Sequence, residues 1–149
     1  MNLLLLAMAM AAPDCGKSFA LGMDEYQRKN PAQALIALRA AIQCDPKMVQ
    51  AHLVIANIHA ERGNGGEALA ALLEVLRIEP NNVLALRASS NLYLRNGLHT
   101  KALPLLETLI VAAPASVDGH ADLAGVYAAG GKREAAEKGF RRALELQPD

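Results

Sequence analysis

Apolar and polar positions along this chain recur in register every 34 residues. Alanine stands at 34, 68, 102 and 136. Four residues after each alanine comes a large apolar side chain (Leu38, Leu72, Leu106, Phe140), and eight after it an aliphatic one (Ile42, Leu76, Ile110, Leu144). Steps of four keep these side chains on one face of a helix. Pro46, Pro80, Pro114 and Pro148 close the four periods, and Gly63, Gly97 and Gly131 interrupt the last three, with Lys29 at that place in the first. Self-similarity at such a period marks a solenoid of stacked units.

Each unit reads as two helices. In the second unit the spacing predicts one helix over Met48–Arg62, stopped at Gly63, and another over Glu67–Glu79, stopped before Pro80. Glycine takes the left-handed conformation that ends the first helix, and proline disfavours helix in the residue before it. The small alanine lets the two backbones approach, and the large apolar residue beside it fills the remaining space. Ala68 and Ala102 are therefore expected to be almost fully buried. One helix pair cannot bury both its faces, so stacking on neighbours is obligatory. The units fall at 15–48, 49–82, 83–116 and 117–149, after an apolar leader over 1–14.

The columns resemble those of the tetratricopeptide repeat, whose signature is W-x2-L-G-x2-Y, then A-x3-F, then P. The fourth unit is the best match, with Leu123-Ala124, Tyr127, Ala136, Phe140 and Pro148. The second reads Ile55-Ala56, Ala68, Leu72 and Pro80. The third has Ser89-Ser90 where Leu-Gly is usual and recovers at Tyr93, Ala102 and Pro114, while the first keeps Leu21-Gly22, Ala34 and Pro46. The tryptophan column is replaced throughout, by Ser18, His52, Leu86 and His120. The resemblance implies an all-α, right-handed α-solenoid of four helix-turn-helix repeats. It also implies a non-enzymatic scaffold that binds a peptide or protein partner. A docking module of a larger enzyme and an assembly factor of the cell envelope are the alternatives.

In the resembled family the first helices of successive repeats line a concave groove. Carried over by position, the groove residues here are Tyr26 in the first unit and Leu53 and Asn57 in the second. The third supplies Leu84, Arg87, Asn91 and Arg95, and the fourth Asp118, Ala121 and Asp122. Arg87, Asn91 and Arg95 lie four apart and form one stripe, suited to a partner's carboxylates and main chain. The competing role for the stripe is a solvated face with Arg87 paired to Asp122. Family members that clamp a terminal carboxylate use a basic residue and an Asn on one helix, as Arg87 and Asn91 do. They use a further Asn on the next repeat, where Asp122 would repel a carboxylate.

Composition narrows the chemistry. Apolar residues make up 52% of the chain and aromatics 3%, so the core is built from aliphatic side chains and alanine. Fifteen basic and fifteen acidic residues cancel, without the basic excess that phosphate neutralisation requires, so no nucleic-acid partner is expected. The unit charges alternate in sign from the first repeat to the last, which suits a mixed-charge partner. The segment Ala11-x4-Gly16-Lys17-Ser18 fits the loosest form of a phosphate-binding loop. It also simply opens the first helix of the first repeat, in register with the others, and no acidic metal ligand follows. The four histidines are spaced too widely to share a metal ion, and no catalytic grouping can be assembled. No cofactor, metal or small-molecule substrate is expected.

Cys15 and Cys44 form neither a disulfide framework nor a zinc spacing. They fall at one edge of the first helix pair. Packed helix axes lie about 8–10 Å apart, wider than a disulfide spans, so two free thiols are the expectation and a bridge needs frayed helix ends. The run Leu3–Ala12 is too short to cross a membrane. It resembles a secretory signal that lacks a preceding basic residue, or half of a further repeat lacking a wet face, or an unstructured tail. The first of these implies an exported or periplasmic protein, the others a cytoplasmic one. Nothing in the sequence resembles a polar closing helix after the fourth unit, so either apolar surface is exposed there or the chain is cut from a longer protein.

Overall fold

A computed structural model describes residues 14–147; the leader before Asp14, Pro148 and Asp149 lie outside these residues. The described residues form eight helices in antiparallel pairs: α1 (Cys15–Gln27) with α2 (Pro31–Cys44), α3 (Val49–Glu61) with α4 (Gly65–Ile78), α5 (Val83–Arg95) with α6 (His99–Ala112), and α7 (Val117–Ala129) with α8 (Arg133–Leu146). Each pair packs on the next through α2 on α3, α4 on α5 and α6 on α7. The result is the right-handed all-α solenoid that the resemblance implies.

The punctuation follows the columns. Asp45, Glu79 and Ala113, each just before a proline, leave the helix with φ of −128°, −127° and −135°. Proline crowds the residue before it out of the helical region. Helix α4 begins two residues earlier than expected, at Gly65, with Asn64 at its N-cap position and no side-chain cap. Three of the four first helices are capped by a side chain accepting the N–H three residues on: Asp14 from Lys17, Asn82 from Ala85 and Ser116 from Gly119. Met48 holds that position in α3 and offers no cap.

Gly63, Gly97 and Gly131 have φ of 75°, 70° and 73°, and Lys29 in the same column has φ of 63°. An L-residue with a Cβ is strained there by about 1–2 kcal/mol, against the extra freedom a glycine loses on folding. Lys29→Gly is therefore expected to stabilise the protein by about 0.5–1 kcal/mol. A thermal melt that falls would contradict this account of the turn.

Ala34, Ala68 and Ala102 are fully buried and Ala136 nearly so. Opposite them runs a second small column, Gly22, Ala56, Ser90 and Ala124. A Cβ on Gly22 would stand 2.6 Å from Cγ of Leu38, so α1 and α2 touch backbone to side chain. The core runs in two clusters, one from Ala34 to Ala85 and one from Leu86 to Val126, with Leu76 packing against both.

The two cysteines depart from expectation. Cys15 and Cys44 are joined in a disulfide with their Cα atoms 5.4 Å apart. Cys15 is the first residue of α1 and Cys44 the last of α2, where the backbones are no longer held at the axis spacing of packed helix bodies.

The ends of the solenoid differ. The face of α7 that meets the preceding pair includes Gly119, where a Cβ would lie 3.3 Å from Leu109 of α6. The matching columns hold Ala51 and Ile55 in α3, both buried, and Lys17, Leu21 and Asp24 in α1, with Arg28 at its C-cap. There Lys17 pairs with Asp14 and Arg28 with Asp24, both at the surface. At the other end, Phe140 and Leu144 of α8 are 44% and 70% exposed, whereas Leu106 in the Phe140 column is completely covered.

Candidate functional site

The first helices α3, α5 and α7 wall a depression of about 750 Å³ on the concave side. Leu53, Asn57, Leu84, Arg87, Asn91, Arg95 and Asp122 all line it, joined by Asp118 and Ala121. Its floor is apolar and small: Ala56 and Ala60 on α3, Ala88 and Leu92 on α5, and Leu72 reaching in from α4. The sequence marks Ala56 and Leu72 as repeat-signature positions but none of the five as groove residues, although Ala56/Ala60 and Ala88/Leu92 sit at helical i,i+4 spacing beside the polar stripe.

Tyr26 stands apart from this depression. Its hydroxyl donates to Oε1 of Glu61 at 2.7 Å and accepts from Nδ2 of Asn57. Asn57 also donates to Glu61 at 3.2 Å. The Glu61 hydrogen bond, followed by burial and the Glu61 charge, raises the Tyr26 pKa, and Asn57 opposes them. The donors of this group are therefore engaged within the protein, and they tie α1 to α3.

The stripe on α5 is different. Among the described residues, the side chains of Arg87, Asn91 and Arg95 have no hydrogen-bond or ion-pair partner. The alternative pairing of Arg87 with Asp122 is not formed. Asp122 is half-buried, and desolvation first, then the nearby Asp118 charge, raise its carboxyl above the usual range. No opposing cation lowers it. The depression thus carries unspent donors on one wall and unspent carboxylates on the next.

The other candidate chemistry takes structural roles. Gly16, Lys17 and Ser18 are the second to fourth residues of α1 and form no loop; the Lys17 N–H is held by Asp14. Among the described residues no group of three His, Cys, Asp or Glu side chains is placed to hold a metal ion, and no helix is long and apolar enough to cross a membrane.

The sequence profile of the tetratricopeptide repeat matches residues 19–83 and 87–149, most of the chain. The chain belongs to the tetratricopeptide-repeat family. Solved structures of similar fold include MamA, with a TM-score of 0.77 and 21% identity over 90% of this chain and 78% of that one. MamA residues 41 to the end from Desulfovibrio magneticus RS-1 align with a TM-score of 0.77 at 23% identity, over 93% of this chain and 78% of that one. YrrB, a TPR protein with an unusual peptide-binding site, aligns with a TM-score of 0.75 at 16% identity, over 93% and 72%. Among curated protein sequences none matches.

As a tetratricopeptide-repeat solenoid the chain has the architecture of a protein-interaction scaffold. Its departures from the family signature are filled in a consistent way. In the tryptophan column, His52 Nε2 lies 3.0 Å from the Pro46 carbonyl and His120 Nε2 lies 3.0 Å from the Pro114 carbonyl. A carbonyl can only accept, so each ring carries its proton on Nε2. The two histidines thus pin α3 and α7 to the proline turns before them. Ser89 and Ser90, in the Leu-Gly place of the third tetratricopeptide repeat, are both fully buried, and Ser90 donates to the Arg87 carbonyl.

Proposed function

We propose that this protein is a non-enzymatic scaffold that holds a peptide or protein segment in the depression between α3, α5 and α7. The observation that carries this reading is the unpartnered stripe of Arg87, Asn91 and Arg95 over an alanine-rich floor. A folded chain normally satisfies its polar side chains internally or leaves them scattered in water. Here three donors-in-waiting are aligned on one helix beside a concave apolar surface, where a main chain could be both hydrogen-bonded and desolvated. The peptide-binding site attributed to YrrB, a neighbour in fold, supports the same ligand class.

The test is a pull-down with the repeat region as bait, alongside Arg87→Ala/Asn91→Ala. Binding is expected to weaken in the double variant and with added salt, because exposed charge pairs are screened beyond about 8–10 Å. The melting temperature is expected to stay unchanged, since neither side chain has a partner within the fold. A melt that falls while binding survives would assign these residues a structural role and remove the groove reading.

The disulfide supports a second, narrower reading, a scaffold of the cell envelope. Such bonds persist in oxidising compartments and are rare in the cytosol. Mass spectrometry of protein exported by its own leader tests it. An intact Met1 with two alkylatable thiols would remove it.

A further inference from the structure

The two polar walls of the depression carry opposite charge and do not neutralise each other. Arg87 and Arg95 lie on α5 eight residues apart, so they span about 12 Å along the helix. Asp118 and Asp122 lie on the facing wall, α7, one turn apart. Elsewhere the described residues of the fold close such pairs readily: Arg28 with Asp24, Arg77 with Glu74, Arg141 with Glu137 and Arg142 with Glu145 are all within 3.1 Å. Each of those pairs joins residues one turn apart on a single helix. In the depression the opposite charges sit on different helices, α5 and α7, and form no ion pair among the described residues. Like charges are also gathered on each wall. Two carboxylates one turn apart repel, and the half-burial of Asp122 sharpens that repulsion.

We propose, resting on the groove reading above, that the depression selects a partner segment bearing an acidic side chain, a basic side chain and small apolar residues. The acidic side chain lies against Arg87 and Arg95, with Asn91 on the adjoining main chain, and the basic one lies between Asp118 and Asp122. The apolar residues cover Ala56, Ala60 and Ala88. A segment ending in a free carboxylate does not satisfy this arrangement, because it leaves the Asp118–Asp122 wall unpaired. A purely acidic segment meets repulsion there, and a purely basic one meets it at Arg87 and Arg95. Charge placement thereby rejects wrong partners as well as holding the right one.

The test is selection of random peptides displayed on phage, with amidated peptides of the enriched sequences then titrated calorimetrically. Wild-type protein is expected to enrich peptides that carry an acid and a base together with alanine or leucine. Arg87→Glu/Arg95→Glu should bind those peptides at least about tenfold more weakly and enrich peptides without the acid. Asp118→Lys/Asp122→Lys should do the converse, keeping the acid and losing the base. Circular dichroism melts matching wild type would show that both variants fold. Identical enriched sequences on all three proteins would overturn the proposal. A Leu53→Arg/Leu84→Arg variant, which fills the depression, separates the two levels of inference. Peptides that lose binding to it but lack the charge pattern would remove this proposal and leave the groove reading. Peptides that bind it undiminished, or no enrichment on wild type above bare matrix, would remove both.

Discussion

Reduction of the Cys15–Cys44 bridge is expected to lower the stability of the first helix pair by about 3.6 kcal/mol, the chain-entropy value for a loop of this length. The bond closes α1 onto α2 over a separation of 29 residues. Without it, the unfolded form of that pair regains the freedom of the whole loop. Because each unit of a solenoid contacts only its neighbours, the loss should be local first. Hydrogen exchange in α1 and α2 is expected to accelerate on adding reductant, while α5 to α8 change little. Cys44→Ser should reproduce the effect without reductant. Identical melts and exchange rates in oxidised and reduced protein would show that the bond contributes nothing to holding the pair.

Leu106→Ala is expected to cost about 2–5 kcal/mol, the range for a buried leucine that leaves a cavity. Leu106 is completely covered, enclosed by α5 to α7 and the rest of α6. Phe140→Ala removes a larger side chain from the same column of the repeat, yet Phe140 is 44% exposed and its loss should cost clearly less. The comparison isolates the neighbouring unit as the source of the stabilisation, since column and helix face are constant and only the cover differs. Urea denaturation of the two variants measures it. Equal losses would mean that stability resides within single pairs and that stacking adds little.

The architecture was legible because the same physical demand recurs every 34 residues. Prolines, left-handed turn positions and the alanine column repeat in phase, and Lys29 was placed in the left-handed turn by its column although its residue type argues against it. The position of the polar stripe was legible too, since helical spacing puts Arg87, Asn91 and Arg95 on one face. Which of these polar groups were already occupied was not legible. The Tyr26–Asn57–Glu61 group joins side chains 31 and 35 residues apart, and it depends on rotamers and on how far α1 and α3 slide past each other. A helix face in the sequence cannot distinguish that engaged group from the unpartnered one on α5. The same limit explains Arg87 and Asp122, which lie on adjacent helices with opposite charge but fail to meet. The disulfide was missed for a different reason. Helix–helix spacing describes the bodies of helices, and both cysteines are terminal residues.

The unequal ends give the solenoid a direction of growth for anyone building with it. A copied unit such as 83–116 grafted beyond α8 would present Ala85 and Leu86 near Phe140 and Leu144, repeating the kind of junction already used between α6 and α7. The same unit grafted directly onto α1 would have to lay the aliphatic face of its second helix on Leu21 together with Lys17, Asp24 and Arg28, disturbing two ion pairs. Among the described residues, the α8 face is the readier of the two to take an added unit.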